Sequence, residues 1–145
     1  MASRFPLVYG TMYNAGSPIN VTIANTANYY IIGATWTAGP LRGVTLTNCY
    51  GLTPSVTGYY LCQWAITGTC GTVAQDVYAQ VYNNGAAEAS TIQQYHWLSS
   101  VNYNMSGYGI FSVTGGNEVT IYVRNATGTN QLSFKYCEMS IYRVG

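Results

Sequence analysis

The run Gly58–Thr67, GYYLCQWAIT, limits what this chain can become more than any other stretch. Its ten residues carry no charge, open on glycine and are dense in aromatic and aliphatic side chains, the pattern of a buried β-strand. Side chains alternate across a strand, so Tyr60, Cys62, Trp64 and Ile66 share one face and Tyr59, Leu61, Gln63 and Ala65 the other. Both faces are largely apolar. In a two-sheet sandwich the chain itself covers only the inner face, so an apolar outer face needs another cover. A neighbouring copy of the protein is one such cover and predicts an oligomer built on this strand; the chain's own loops are the other.

The rest of the composition narrows the class. The 145 residues suffice for one domain with a single substantial core. Only 6% of them are charged, against about 25% in typical soluble domains, and the net charge is +1. Arg4, Arg42, Arg124, Lys135 and Arg143 are too scattered to form a basic patch, so neither nucleic acid nor an anionic membrane is an expected partner. Solubility then rests on Thr, Ser, Asn, Gln and the hydroxyls of fifteen tyrosines, a residue suited to contact surfaces as well as to cores. The charge-free run from Gly43 to Gln75 is interrupted by Asn48, Pro54, Gln63 and several Thr and Gly, which argues against a membrane span. No apolar h-region precedes a cleavage site in MASRFPLVYGTMYN, so no secretory signal is expected. Cys49, Cys62, Cys70 and Cys137 lack Cys-x-x-Cys spacing and a histidine cluster. No zinc site is therefore expected, and without a secretory signal the default is reduced thiols, with Cys62 and Cys137 packed as small hydrophobes.

Read in order, residues 1–28 form an N-terminal arm with one edge strand at Val8–Tyr13, and residues 29–145 form the main body. Tyr29–Trp36 is an apolar run ending at the turn signal Ala38-Gly39-Pro40, and Val44–Tyr50 alternates like a half-buried strand. Val73–Tyr82 leads to Asn83-Asn84-Gly85, a strong hairpin signal. Ala86–Leu98 mixes helix and strand preferences and is read as strand. Val119, Ile121 and Val123 share one face of the segment Glu118–Arg124. In the last strand, Gln131–Tyr142, Leu132, Phe134 and Tyr136 are expected on one face and Cys137, Met139 and Ile141 on the other. About eight short strands, no convincing helix and frequent turns predict an all-β antiparallel two-sheet sandwich or barrel.

Three motifs carry a resemblance. Gly58-x-Tyr60-x-Cys62-x-Trp64, with Leu52 six positions before the glycine, resembles the glycine-x-tyrosine-x-aromatic signature of the tumour necrosis factor and complement globular-head superfamily. Val113-x-x-Gly116-Asn117-x-Val119-x-Ile121 resembles its later leucine-x-x-glycine-aspartate-x-valine segment, and Val81–Gly85 is similar to the hairpin of the bacteriophage members. Together they span roughly residues 44 to 143. The resemblance implies a jelly-roll sandwich and a compact homotrimer in which odd offsets from the strand's glycine line the threefold axis. Those offsets are Tyr59, Leu61, Gln63 and Ala65, the face already in need of cover, with Tyr108 and Tyr136 as companions from neighbouring strands.

Chemistry is sparse. Asp76, Glu88, Glu118 and Glu138 are the only acids and lie far apart, and His96 is the only histidine, either a sugar-contacting or pH-sensitive residue or, as is commoner for a lone histidine in a strand, a hydrogen-bonded surface or core residue. No nucleophile elbow, phosphate loop or metal-ligand pattern is present, so neither an enzyme nor a cofactor is expected. The resemblance implies a structural protein of the virion, made in the host cytoplasm without a signal peptide. It would be a homotrimer that decorates or cements a capsid. The alternative is a fibre-tip receptor-binding or glycan-binding module, docked on a tail or fibre protein, with Asn83, Asn84, Tyr95 and Trp97 as candidate contacts to a host-surface glycan.

Overall fold

The computed structural model describes residues 6–33 and 36–145. The first five residues of the expected arm, Arg4 among them, and positions 34 and 35 of the apolar run Tyr29–Trp36 lie outside the described residues. Twelve strands are present among the described residues: β1 (Tyr9–Val21), β2 (Tyr30–Ile31), β3 (Thr37–Arg42), β4 (Val44–Thr47), β5 (Gly51–Pro54), β6 (Gly58–Thr69), β7 (Gln75–Asn83), β8 (Ala86–Ala87), β9 (Gln93–Trp97), β10 (Tyr103–Val113), β11 (Val119–Asn125) and β12 (Leu132–Arg143). They pair antiparallel into two sheets. Sheet I has the order β10-β6-β12-β1-β3. Sheet II has the order β4-β5-β11-β7-β8, with β2 also on β11 and β9 also on β7. No helix among the described residues is long and apolar enough to cross a membrane.

The core lies between the sheets and follows the alternation read from the sequence. Strand β6 sits between β10 and β12 and turns Tyr60, Cys62, Trp64 and Ile66 inward, all buried. From sheet II come Val77, Ala79 and Val81 of β7, Val119, Ile121 and Val123 of β11, and Leu52 of β5, likewise buried. The Tyr60 hydroxyl donates to the Val56 carbonyl at 2.6 Å, which satisfies the one polar atom of that buried ring. Trp97 stacks on Tyr103 with ring centres 6.0 Å apart and meets Phe134 edge-on at 5.8 Å, closing the end of the sandwich. On β10, a Cβ at Gly107 would lie 2.6 Å from the Trp64 ring, so glycine there lets the indole lie against the strand.

The hairpin signal was accurate. Asn83 pairs with Ala86 across a two-residue loop in which Asn84 and Gly85 have φ of 51° and 81°, the left-handed pair that a type I′ turn requires.

Four expectations need correction. The strand expected at the sheet edge over Val8–Tyr13 runs on to Val21 and pairs on both sides, with β12 and β3. Ala38-Gly39-Pro40 is not a turn but part of β3, the true edge of sheet I, where a proline costs no ladder hydrogen bond. Ala86–Leu98 divides into β8, a 3-10 turn at Ala89–Thr91, and β9, because the Thr91 hydroxyl is drawn inward to accept from Val81 N at 2.9 Å.

The fourth correction concerns β12. A register shift between Phe134 and Tyr136 puts Leu132, Phe134, Cys137, Met139 and Ile141 on one buried face and sends Tyr136 outward. The buried Asn14 holds this bulge. Its amide donates to the Lys135 carbonyl at 3.1 Å and to the Ser17 carbonyl at 2.7 Å, so one side chain ties the bulge of β12 to that of β1.

Replacing Phe134 with Ala should remove the ring that closes the core beside Trp97. Loss of about 3–5 kcal/mol of stability is expected, read by urea unfolding as a lower midpoint at unchanged slope.

Candidate functional site

The outer face of sheet I collects the side chains that the alternation of β6 left without cover. Tyr59 is 58% exposed, Leu61 is half-buried, and Gln63 and Ala65 are exposed. The ladders bring their companions alongside. Tyr108 lies opposite Gln63, Ile110 opposite Leu61, and Ser112 opposite Tyr59 on β10; Tyr142 lies opposite Leu61 and Tyr136 opposite Thr67 on β12. Tyr108 is 70% exposed and Tyr136 53%. All six residues expected on this face are therefore placed there together. Of the twelve large hydrophobic side chains exposed among the described residues, six (Tyr13, Tyr59, Tyr108, Ile110, Tyr136 and Tyr142) stand on it, which makes it the principal apolar surface.

Three of those six, Ile110, Tyr142 and Tyr13, were not singled out in the sequence. The signal existed for two of them. Counting by twos from Tyr108 reaches Ile110, and counting by twos from Tyr136 reaches Tyr142. A shallow groove of about 350 Å³ crosses this face, lined by Tyr13, Ala15, Ala65, Thr67, Tyr136 and Glu138. Glu138 is its only acid, opposite Tyr13 on one side and Ala65 on the other, with no ion pair among the described residues. The Ser140 hydroxyl, also on this face, is shared with Thr11 at 2.9 Å.

The candidate glycan contacts do not assemble into a surface. Trp97 is 0% exposed and belongs to the core, because it alternates inward on β9 together with Tyr95, which packs against the core. The Asn83 amide is used internally, donating to Glu88 Oε1 at 3.0 Å and to the Ser112 carbonyl at 2.9 Å. Asn84 remains exposed at the hairpin tip.

The titratable groups are likewise dispersed. His96 lies directly opposite Asp76 on the exposed side of β9 and β7, with Nδ1 2.7 Å from Asp76 Oδ1. No hydroxyl or thiol is hydrogen-bonded to His96 among the described residues. Glu88 is engaged by Asn83 and Glu118 by Asn48 at 3.0 Å. Among the described residues no group of three or more His, Cys, Asp and Glu side chains could hold a metal ion.

All four cysteines are free thiols: Cys62, Cys70 and Cys137 are buried and Cys49 is exposed on a left-handed turn with φ of 59°. Burial pushes the Cys62 thiol far up, and that of Cys137 up to about 12. Both are core atoms rather than reactive groups.

No family model matches this chain, and no curated protein matches it in sequence. Solved structures do match it in fold. The structure of Eiger TNF from S. frugiperda superposes with a TM-score of 0.68 over 97% of this chain and 94% of that one, at 14% identity. The structure of murine APRIL at pH 5.0 does so with a TM-score of 0.59 over 94% and 99%, at 12% identity. The chain thus has the tumour-necrosis-factor-like jelly-roll fold, with two antiparallel sheets and the exposed aromatic face on sheet I.

Two consequences of the buried thiols can be measured. In the native protein a thiol reagent should label Cys49 alone, with the other three reacting only on unfolding, as read by intact mass. In the unfolded chain Cys62 and Cys137 ionise near their ordinary value of 9.0, while the native state keeps them protonated. Stability should therefore hold below that pH and fall above it, by about 1.4 kcal/mol per pH unit for each thiol. Cys62→Ala should flatten the decline in denaturation midpoints measured across the alkaline range.

Proposed function

We propose that the chain is a non-enzymatic structural protein that acts as a homotrimer built through the exposed face of sheet I. In this reading it decorates or cements the capsid of a bacteriophage virion. The observation that carries the proposal is the aromatic and aliphatic face centred on Tyr59, Leu61, Tyr108, Ile110, Tyr136 and Tyr142. A surface rich in tyrosine and nearly free of charge has the composition of the core of a protein–protein interface. It also suits a partner with the same surface chemistry, which a second copy supplies. Contacts between unlike edges of this face close into a ring under a rotation, and the threefold ring is the one implied by the Gly58-x-Tyr60-x-Cys62-x-Trp64 resemblance.

The virion role is supported by the similarity of Val81–Gly85 to the hairpin of the phage members and by the near absence of charge. The non-enzymatic reading is supported by the dispersal of the four acids and the isolation of the His96–Asp76 pair.

Light scattering behind a sizing column should give a mass near three times 15.7 kDa. Leu61→Asp or Tyr59→Asp should yield monomers, because each would bury an unpaired charge where three copies meet, at a cost of several kcal/mol per ion. A monomeric wild type, or a double mutant that stays trimeric, defeats the assembly reading. Co-sedimentation with capsids lacking their decoration layer checks the role. A trimer that ignores capsids and binds host cells would instead mark a fibre-tip receptor-binding module.

A further inference from the structure

The outward face of sheet II holds a second cluster, unrelated to the face of sheet I. Arg124 of β11 lies directly opposite Tyr78 of β7. Its guanidinium carbon is 4.5 Å from the centre of the Tyr78 ring and 5.5 Å from that of Tyr29. The aromatic surface continues from there. Tyr29 meets Tyr82 at 5.9 Å, and Tyr82 stacks on Tyr122 with ring centres 4.1 Å apart. All five side chains are half-buried, so each keeps part of its surface in contact with solvent.

Arg124 makes no ion pair among the described residues. Asp76, two residues before Tyr78 on the same face of β7, is held by His96, Glu88 by Asn83, and Glu138 stands on sheet I, while Glu118, bonded to Asn48, acts on the Tyr122 end of the cluster. Arg124 Nε is covered and has no hydrogen-bond acceptor among the described residues. Ring contacts engage the flat faces of a guanidinium and leave its N–H edge unused. A partly desolvated cation without an acceptor is costly to the free protein, and an anion reaching the terminal N–H groups offsets that cost. Burial pushes the Tyr29 and Tyr82 phenols up, while Arg124 pulls both down, so its field reaches these two rings.

We propose that this cluster is a binding site for a carboxylate-bearing sugar, with Arg124 receiving the carboxylate and the exposed edges of the tyrosines around it bordering the sugar. The ligand class follows from the chemistry of the wall. A planar fork matches a carboxylate in two parallel hydrogen bonds. Tyrosine rings offer apolar bodies to the C–H face of a pyranose and hydroxyl tips to its hydroxyl groups. An acidic peptide would need further cations nearby, and the cluster contains Arg124 alone.

Isothermal titration of the full-length protein with sialyllactose, lactose and inorganic sulfate tests this. Sialyllactose should bind at least about tenfold more tightly than lactose, the value of one charge-assisted pair of hydrogen bonds. Arg124→Gln should abolish that preference. Arg124→Lys keeps the charge and most of the packing but lacks the fork, and should weaken sialyllactose binding severalfold at an unchanged thermal midpoint, which separates loss of the site from loss of the fold. Equal affinity for the acidic and neutral sugars, no heat with either, or an undiminished preference in Arg124→Lys would overturn the proposal. Sulfate binding as tight as sialyllactose would also overturn it, leaving an anion site without sugar recognition. The monomeric Leu61→Asp protein should bind the sugar equally well, so this outcome is independent of the assembly reading.

Discussion

A strand in the middle of a sheet can hide only one of its faces within its own sandwich, and β6 is apolar on both. This limit underlies the architecture. The inward set, Tyr60, Cys62, Trp64 and Ile66, is satisfied by sheet II and defines the core. The outward set, Tyr59, Leu61, Gln63 and Ala65, is extended by β10 and β12 into a surface whose exposed tyrosines reach 70% accessibility. A folded domain with so few charges has little with which to keep such a face solvated. In the proposed homotrimer another copy would remove that apolar area from water, giving the face a role that folding of the single chain leaves open.

Asn14 illustrates how a single polar side chain can decide what that surface contains. By donating to carbonyls of two bulged segments it fixes an irregularity in β1 and another in β12. Without the bulge, strict alternation along β12 would carry Tyr136 inward with Phe134, or turn Cys137, Met139 and Ile141 out. With it, five apolar residues stay in the core and Tyr136 joins the face of sheet I. The two sheets then present contrasting outer surfaces. Sheet I is broad and weakly charged, whereas sheet II concentrates its rings around one arginine.

Much of this could be read from the chain. The period of two in Gly58–Thr67 and in Glu118–Arg124 depends only on backbone geometry, so the inward and outward residues of β6 and β11 were assigned correctly. The Asn84-Gly85 turn was legible because few residues accept positive φ at two successive positions. Other features were not. Ala38-Gly39-Pro40 has the composition of a turn and became an edge strand because β1 offered it a pairing partner. Trp97 looks like a surface anchor in Gln93-Gln94-Tyr95-His96-Trp97, yet β9 pairs with β7 in a register that turns it toward Phe134. The Arg124 cluster joins Tyr29, Tyr78, Tyr82 and Tyr122 from separate parts of the chain, and no local pattern announces it.

By itself, the sequence determined the class of fold, the two faces of its central strand and the scarcity of catalytic chemistry. These depend on side-chain alternation, turn stereochemistry and residue counts, all of which are local or additive. Only the tertiary structure decided which tyrosines share a face, where the bulges fall and which cation is left without an acid. Those outcomes depend on the register between strands distant in the chain, and a shift of one residue exchanges inside for outside.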